Sequence, residues 1–462
     1  MFRLFKHYVP YAVVWLALFE FAVLLVSAEA AWHIYAHQTG FDAGPLIGRW
    51  VPVVTFALAN ALAMMAVGMY GTEALRAMGF ATARLLAAIS LGVIFLSVVR
   101  FLLPDATLWR ANSLYAMVLA IGALLIVRLA LTQSAGADAF RRRILVLGAG
   151  PRAARLKGLA NAPGSGLSIV GFVAMRPSET AVPEALPRAS VPSLADHAVA
   201  LGAGEVVLAM EERRGALPLS DLLRVKTTGV HVNDMASFLE RETGRVDLAT
   251  TNPSFLIFSD GFSAGQRIAK VSKRLFDIVA SLAVLVIGLP LILLAGIAVK
   301  LDSKGPIFYR QPRVGLYGQI YNIVKIRSMR TDAEAAGQAV WASENDPRVT
   351  RVGHIIRKLR IDELPQTWCV LKGEMSFVGP RPERPSFVEE LTRALPYYAE
   401  RHMVKPGLTG WAQINYPYGA SVEDARVKLE YDLYYAKNYS PFLDLLILLQ
   451  TVRVVLWPDG AR

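Results

Sequence analysis

The stretch that decides how this chain folds is the apolar run IVASLAVLVIGLPLILLAGIAV, residues 278–299. It is long enough to cross a bilayer, whose hydrocarbon core requires about 20 apolar residues in a helix. Basic residues flank both ends of the run, with Lys273 and Arg274 before it and Lys300 and Lys304 after it. A spanning helix here would carry the basic C-terminal part of the chain outside, against the preference of positive charge for the cytoplasmic side.

Pro290 follows Gly288 and Leu289 near the middle of this run and predicts a break. Proline removes one backbone hydrogen bond and kinks a helix at that point. We therefore expect a helix, a break and a second helix over about residues 274–300, which together enter one leaflet and return. The alternative is a further membrane span with an ordinary proline kink.

The composition and the N-terminal third indicate a membrane protein. Hydrophobic residues make up 54% of the chain and charged residues 19%, against about 45–50% and about 25% in soluble domains. This excludes a purely soluble enzyme. Four apolar stretches of spanning length come first, at about residues 10–29, 50–70, 81–103 and 111–131. Basic residues around them predict that the N-terminus and everything after the fourth span lie in the cytoplasm.

Glu20 falls inside the first predicted span. A carboxylate within the membrane is costly and often functional. The alternative is a hydrogen bond between two helices, and the sequence leaves both interpretations open.

The sequence predicts three domains: a four-helix transmembrane domain over residues 1–140, an α/β domain over 141–265 and a basic domain over 266–462. The last holds 27 lysines and arginines against 19 aspartates and glutamates, a net +8 of the total +12. Such an excess suits an anionic partner, either phosphate groups or acidic lipid headgroups. The single cysteine, Cys369, excludes internal disulfides and a cysteine-based zinc site.

The α/β domain is predicted from a change in the spacing of apolar residues after residue 140. A short apolar β run at residues 144–147 leads into a turn of the form GxGxxA, formed by Gly148, Gly150 and Ala153. In such turns the glycines let amides at a helix N-terminus approach a phosphate.

Further β runs at residues 168–173 and 205–208 alternate with helix-like stretches, which predicts a small, doubly wound, Rossmann-like domain. An acidic residue that would bind a ribose is missing after the second strand, where Met175 and Arg176 stand instead. Two interpretations therefore stay open: a domain that binds a nucleotide or nucleotide-sugar, and a structural relic of that fold.

Four short motifs carry the chemistry of the C-terminal domain. They are Lys325-Ile326-Arg327-Ser328-Met329, Arg357-Lys358-Leu359-Arg360-Ile361-Asp362-Glu363-Leu364-Pro365-Gln366, Gly379-Pro380-Arg381-Pro382 and Lys405-Pro406-Gly407-Leu408-Thr409-Gly410. Phosphoryl transfer requires in-line geometry and cations that neutralise the non-bridging oxygens. Two adjacent carboxylates among several cations are typical of that chemistry.

With these motifs, residues 272–460 resemble the catalytic domain of the bacterial monotopic polyprenyl-phosphate glycosyl-1-phosphate transferases. The four spans and the α/β domain resemble the large members of this family, closest to exopolysaccharide members associated with exosortase systems. The family's re-entrant helix usually breaks at Ser-Pro, whereas this chain has Leu289-Pro290.

The resemblance implies transfer of a sugar-1-phosphate from a UDP-sugar to undecaprenyl phosphate, which releases UMP and starts exopolysaccharide or O-antigen assembly. Mg²⁺ is expected as cofactor because phosphoryl transfer needs charge neutralisation on the non-bridging oxygens, and Asp362 and Glu363 are its candidate ligands. The resemblance implies a covalent intermediate on Asp362. It also implies a site on the cytoplasmic face of the bacterial inner membrane, contact with membrane lipid, and a homodimer. No nucleic acid partner is expected, and the donated sugar is not readable from the sequence.

Each motif supplies candidate site residues. Asp362 is the candidate nucleophile. It must be ionised to attack, and the neighbouring cations would favour its ionised form. Glu363 is assigned either to metal coordination or to accepting a proton, and the sequence leaves both open. The candidate phosphate or substrate ligands are Lys325, Arg327, Arg357, Arg381, Lys405, Thr409 and Asp432.

Two other functions are considered. A membrane-bound nucleotide-sugar dehydratase or epimerase needs a Tyr-x3-Lys pair, and Tyr321 and Lys325 have that spacing, although in a β-like stretch beyond the hairpin. A non-catalytic scaffold would sense a nucleotide with the α/β domain and bind acidic lipid with the basic one. The scaffold predicts that Asp362→Asn has no effect on function.

Overall fold

The structure is a computed structural model of the full chain. It describes residues 2–4, 7–9, 11–40, 42–70, 78–134, 141–162, 165–212, 217–251, 253–258, 261–262, 267–331, 333, 347–417, 419 and 421–456. Contacts divide the chain into two compact units, one built mainly from Val9–Thr243 and the other mainly from Gly244–Arg462.

Helices and strands are numbered in chain order. The helices are α1 Tyr11–Thr39, α2 Trp50–Ala66, α3 Met78–Leu102, α4 Arg110–Ser134, α5 Pro151–Asn161, α6 Leu194–Ala200, α7 Leu219–Thr227, α8 Met235–Thr243, α9 Pro253–Phe258, α10 Arg267–Asp302, α11 Arg351–Lys358, α12 Thr367–Lys372, α13 Pro385–Ala394, α14 Trp411–Asn415, α15 Val422–Asn438 and α16 Pro441–Leu456. The strands are β1 Phe2–Leu4, β2 His7–Val9, β3 Arg142–Leu147, β4 Leu167–Ala174, β5 Leu186–Pro187, β6 Glu205–Leu208, β7 His231–Asp234, β8 Phe308–Val314, β9 Ile320–Ile326, β10 Ser376–Val378 and β11 Gly407–Thr409.

The four apolar helices predicted near the N-terminus are confirmed as α1 to α4. Together they bury a shared apolar core that includes Leu24, Phe56, Leu85 and Leu124, one from each helix. By length and hydropathy, segments of α1, α3 and α4 can cross a membrane, as can a segment of α10, whereas α2 is apolar but shorter. These helices identify a membrane protein.

Glu20 of α1 is completely buried and forms an ion pair with Arg128 of α4, with 2.7 Å between carboxylate and guanidinium. Arg128 also lies over the ring of Tyr70, 5.7 Å from its centroid. An unpaired charge here would be costly in lipid. The Glu20 carboxylate thus joins two helices, which agrees with the interpretation of Glu20 as a bond between helices.

The α/β region contains a parallel five-stranded sheet with strand order β5-β4-β3-β6-β7. The last four residues of β3 point alternately to opposite faces and are fully buried: Ile144 and Val146 enter one apolar cluster, while Leu145 and Leu147 enter another. Helices therefore cover both faces of the sheet, which is why the strands read as continuous apolar runs.

In the C-terminal unit, β8 and β9 form an antiparallel hairpin, and β10 pairs in parallel with β11. The main apolar cluster is lined by α15 and α16, with Leu433, Tyr434, Leu443 and Ile447 almost fully buried. The C-terminal helix α16 is thus packed into this unit.

This unit begins before the predicted boundary at residue 265. Trp411 Nε1 donates a hydrogen bond to the Gly244 carbonyl at 2.7 Å, and the Val246 N–H donates to the Glu430 carbonyl at 2.9 Å. Gly244 has φ +63, a backbone conformation that favours glycine. The three-domain division stays a prediction, and residues 244–251 pack with the basic part of the chain.

Helix α10 contains the apolar run with which the analysis began. It is a single helix of 36 residues that includes Pro290, so the structure shows no interruption of the helix at that position. Near its start, Asp277 accepts hydrogen bonds from the Ser376 hydroxyl and the Phe377 N–H. Near its end, Ile292 and Val299 join an apolar cluster with residues of β9 and α11. The re-entrant path stays a prediction.

The predicted glycine turn leads from β3 into α5. Gly148 has φ +123, and a Cβ at this position would lie 2.9 Å from the backbone of Ala209, so only glycine fits. One carboxylate oxygen of Glu179 accepts hydrogen bonds from the N–H groups of Ala149 and Met175, at 3.0 and 2.9 Å. An internal carboxylate therefore binds an amide of the turn that a phosphate would use.

We expect Glu179→Ala to lower the free energy of unfolding of the α/β region by about 1–3 kcal/mol, because two amides lose their acceptor. Glu211→Ala, which removes an exposed carboxylate from the same region, is expected to change it by less than about 0.5 kcal/mol. Hydrogen exchange of the full chain in detergent, followed in peptides from β3 and β4, measures both. Equal exchange in the two variants would contradict a structural role for Glu179.

Candidate active site

The two adjacent carboxylates lie in a tight 3-10 turn, Ile361–Gln366, between α11 and α12. Arg360, immediately before the turn, adopts a left-handed conformation with φ +56, which is uncommon for a residue other than glycine. Leu364 packs against α10, where its methyl group lies 3.5 Å from the position of a Cβ on Gly288. The turn is therefore seated on the long helix, and it is followed directly by α12, which begins at Thr367.

Glu363 connects the turn to two other segments of the unit. Its Oε1 atom lies 3.0 Å from Nζ of Lys325 on β9 and 3.3 Å from Nη2 of Arg381 in the loop after β10. Three of the predicted motifs thus meet at one carboxylate oxygen. The structure brings together Lys325, Asp362, Glu363 and Arg381, as the sequence predicted.

The charges of this cluster are strongly coupled. Burial by itself would raise the pKa of Glu363, but Lys325 and Arg381 outweigh burial and hold this pKa well below its usual range. Burial lowers the pKa of Lys325, and the negative charge of Glu363 opposes that effect. At neutral pH, Glu363 is therefore ionised.

Asp362 lies in a different environment although it is the next residue in sequence. It is 8% exposed, and its Oδ1 atom is buried without a hydrogen-bond partner among the described residues. Burial, followed by the negative charge of Glu363, raises the pKa of Asp362, against the opposing effects of Lys325, Arg357 and Arg360. The neighbouring cations act in the predicted direction, but desolvation outweighs them.

The remaining candidate ligands lie in other contacts. Arg327 donates two hydrogen bonds to the Ser303 and Lys304 carbonyls, just after α10. The Thr409 hydroxyl lies 2.8 Å from that of Thr451 on α16. Burial lowers the pKa of Lys405, and the charge of Arg274 near the start of α10 acts in the same direction. The substrate-binding roles of Arg327, Lys405 and Thr409 stay predictions.

Asp432 is almost completely buried in α15, where it forms an ion pair of 2.7 Å with Arg401. Arg401 also donates to the Arg381 carbonyl at 2.9 Å. Sequence reasoning missed Arg401, because no spacing relates it to the four motifs. It also missed Arg313, which donates to the Pro382 carbonyl at 2.9 Å.

The residues present fit a divalent cation such as Mg²⁺. Within the described ranges no three or more Asp, Glu, His and Cys side chains gather into a ligand group, but Mg²⁺ often takes only one or two carboxylates and completes its shell with water and phosphate oxygens. The buried Oδ1 atom of Asp362, which lacks a partner in the described part of the chain, is available for such a bond. Asp362 and Glu363 are the residues that would hold the ion.

Comparison with known sequences identifies the family. A family profile described as bacterial sugar transferase matches residues 268–458, which contain all four motifs. An UDP-glucose:undecaprenyl-phosphate glucose-1-phosphate transferase of Caulobacter vibrioides is 42% identical over 191 residues, which are 41% of this chain and 71% of that protein.

This chain belongs to the bacterial sugar transferase family.

Two further relatives match this chain over smaller shares of their own length. An UDP-N-acetylgalactosamine-undecaprenyl-phosphate N-acetylgalactosaminephosphotransferase of Aeromonas hydrophila is 42% identical over 241 residues, 52% of this chain and 56% of that protein. An undecaprenyl-phosphate glucose phosphotransferase of Komagataeibacter xylinus is 45% identical over 196 residues, 41% of this chain and 37% of that protein. The matched part of this transferase thus spans about half or less of these two relatives.

The Tyr-x3-Lys spacing that suggested a dehydratase lies on a strand of the transferase. Tyr321 and Lys325 both belong to β9, where four residues extend about 13 Å. Lys325 is paired with Glu363, and the Tyr321 hydroxyl is buried without a hydrogen-bond partner in the described segments. This geometry separates the two groups that such an enzyme would bring together.

We expect Lys325→Met to lower the free energy of unfolding of the transferase by about 3 kcal/mol near neutral pH, because it leaves buried carboxylates without their main counter-charge. The low pKa of Glu363 stabilises the folded state above the unfolded-state pKa, and this contribution is lost as the pH falls. The difference between variant and wild type should therefore shrink in acid. Denaturant unfolding in detergent at several pH values measures it.

Lys358→Met is the matched control, since Lys358 is an exposed lysine at the end of α11. Its free energy of unfolding should stay within about 0.5 kcal/mol of the wild-type value. The role given to Lys325 would be wrong if the two lysine substitutions had equal effects at neutral pH.

Proposed function

We propose that this protein transfers a sugar-1-phosphate from a UDP-sugar to undecaprenyl phosphate and releases UMP, as the initiating step of exopolysaccharide or O-antigen assembly. The observation that carries the proposal is the asymmetry of the carboxylate pair. Glu363 is held by two cations, whereas the buried Oδ1 atom of Asp362 has no hydrogen-bond partner among the described residues. The names of the relatives, which state undecaprenyl phosphate as a substrate, support the same acceptor.

In the proposed first step, a carboxylate oxygen of Asp362 attacks the phosphorus that carries the sugar. A bond forms between this oxygen and phosphorus while the bond from phosphorus to the UMP oxygen breaks, and UMP leaves with the electron pair. In the second step, a phosphate oxygen of undecaprenyl phosphate attacks the same phosphorus and releases Asp362 as a carboxylate. Because UMP leaves before the lipid reacts, the site never holds both bulky anions.

The charges around Asp362 suit this reaction. Lys325, Arg357 and Arg381 can neutralise the diphosphate of the donor. Glu363 is a weak proton acceptor because its pKa lies well below its usual range, whereas a general base works best with a pKa near the operating pH. We therefore assign Glu363 to holding cations rather than to accepting a proton. A Mg²⁺ ion on Asp362 and Glu363 would supply further charge neutralisation on the donor phosphates.

The contacts of α10 support a monotopic seat rather than a crossing, and we propose a re-entrant path in which the helix bends at Pro290 without being interrupted. At about 1.5 Å per residue, Asp277 and Val299 would be about 33 Å apart in a straight helix, which exceeds the hydrocarbon thickness of about 30 Å. Yet Asp277 bonds to β10 and Val299 packs with β9, both in the same unit. A helix that crossed the bilayer would place these contacts on opposite sides. With the basic flanks, this favours the cytoplasmic face of the inner membrane.

We further propose that the α/β region is Rossmann-like and structural. Counted within the region, the order β5-β4-β3-β6-β7 is 3-2-1-4-5, which is typical of doubly wound sheets. The Glu179 carboxylate on the amide of Ala149 favours the structural relic over the nucleotide-binding domain, because a bound phosphate would have to displace this carboxylate.

The proposal is tested by UMP release from a panel of UDP-sugars that includes UDP-glucose, UDP-galactose and UDP-N-acetylgalactosamine. Purified full-length protein should release one equivalent of UMP without lipid, and turn over continuously once undecaprenyl phosphate and Mg²⁺ are added. Asp362→Asn should abolish both, because the amide cannot form the covalent intermediate. The donor that reacts identifies the sugar.

Glu390→Gln, which alters an exposed carboxylate of α13, is the control and should retain wild-type turnover. Normal UMP release by Asp362→Asn would exclude Asp362 as the nucleophile. Absence of UMP release by the wild type with every donor would favour the non-catalytic scaffold.

In a plot of kcat/KM against pH, the rate should fall on the acid side, here called the acid limb, with an apparent pKa above the usual range for an aspartate. The reason is that Asp362 must be ionised to attack and that burial raises its pKa. Arg357 lowers this pKa, so Arg357→Gln should move the limb of kcat/KM to higher pH, whatever its effect on the maximal rate. Lys358→Gln should leave the limb in place. A limb that moved to lower pH in Arg357→Gln would contradict the assignment.

A further inference from the structure

The loop Gly379–Glu383, which carries Arg381, is held through its backbone carbonyls. Four successive carbonyls each accept a hydrogen bond from a different donor: the Gly407 N–H to Pro380 at 2.9 Å, Arg401 Nη2 to Arg381 at 2.9 Å, Arg313 Nη1 to Pro382 at 2.9 Å and the Val314 N–H to Glu383 at 3.0 Å. Pro380 and Pro382 in addition have fixed φ angles and no N–H group. The backbone on both sides of Arg381 is therefore immobilised.

The side chain of Arg381 itself is 39% exposed, although it reaches Glu363 at 3.3 Å. An arginine of this exposure loses rotamer entropy when it is held in one conformation. Fixing the backbone below it limits the directions that the guanidinium can take. Its distance from Glu363 therefore depends on what holds the Arg381 carbonyl.

The donor to that carbonyl is buried and is itself held on three sides. Arg401 is 6% exposed; its Nη2 atom lies 2.7 Å from Asp432 as well as donating to Arg381, and its Nη1 atom donates to the Tyr398 hydroxyl at 2.7 Å. Asp432 is 2% exposed. Buried charges of this kind are stable only as a pair, and neither side chain is accessible to a substrate in this arrangement.

We propose that Arg401, oriented by Asp432, is a positioning residue that sets the place of Arg381 at the carboxylate pair. Asp432 then acts through Arg401 and Arg381, and not by contact with a metal or with the uridine ribose. The kinetic test of this inference rests on the proposed function, because it measures kcat/KM for the UDP-sugar. A second test measures the binding of pyrophosphate and does not require turnover.

A double-mutant cycle tests the proposal. Arg401→Lys keeps the charge but loses the planar fork that joins Asp432, Tyr398 and the loop, and should lower kcat/KM for the UDP-sugar about 100-fold, as expected for a small misplacement of a reacting group. Arg381→Ala should lower it by at least as much. The double variant should be no slower than Arg381→Ala alone, because Arg401 acts through Arg381.

Glu430→Gln provides a matched control on the same helix. Glu430 is as buried as Asp432 and lies two residues from it, but its ion pairs in the described part of the chain are with Arg426 at 2.8 Å and Arg245 at 3.5 Å rather than with Arg401. Asp432→Asn and Glu430→Gln should both lower the thermal midpoint, whereas only Asp432→Asn should lower kcat/KM. The positioning role would be wrong if the losses of kcat/KM in Arg401→Lys and Arg381→Ala multiplied in the double variant. It would also be wrong if Asp432→Asn and Glu430→Gln lowered kcat/KM equally, and Arg401 and Asp432 would then have only a general structural role.

Equilibrium binding of inorganic pyrophosphate by calorimetry separates this inference from the proposed function. The wild type and Glu430→Gln should bind it, and Arg401→Lys should bind it at least 10-fold more weakly. If no UDP-sugar released UMP but this difference persisted, the proposed reaction would fail and the positioning role would stand. If Arg401→Lys bound pyrophosphate as tightly as the wild type, or if the wild type bound none, the positioning role would be excluded.

Discussion

The C-terminal unit depends on the contact of one carboxylate oxygen, Oε1 of Glu363, with Lys325 and Arg381. This contact joins a strand, a tight turn and a loop that share no local sequence. Asp362 lies beside this contact, where burial and the negative charge of Glu363 raise its pKa, and the charges of Lys325, Arg357 and Arg360 only partly offset that rise. The cluster thus places a carboxylate and several cations together, which are the two kinds of group that the proposed phosphoryl transfer requires.

The long helix α10 is the surface on which this cluster is built. Its first turns carry polar anchors, with Lys273 paired to Asp444 and Asp277 accepting from β10, while its later turns are apolar and pack with β9 and α11. Leu364 of the active-site turn lies against the helix near Gly288. By length and hydropathy a segment of this helix is suited to a membrane, which fits the proposed position of the site at the membrane surface.

Several features were predictable because they arise from local pattern. The four N-terminal helices follow from runs of spanning length, and the strands at 142–147, 167–174 and 205–208 follow from short apolar runs bounded by turn residues. That Lys325, Asp362, Glu363 and Arg381 belong to one site was implied by the family resemblance of their motifs. The contacts of Arg401, Asp432 and Glu179 were not, because each joins residues whose spacing has no period.

The sequence by itself determined the membrane character of this protein, its alternation of strands and helices, its family and its adjacent carboxylates, since these depend on composition, periodicity and short motifs. Only the tertiary structure decided how the two carboxylates differ. Glu363 meets Lys325 across 38 residues of chain and Arg381 across 18, and Asp362 is left buried beside them. Desolvation and ion pairing depend on distances in space, which the packing of distant segments sets and no local pattern encodes.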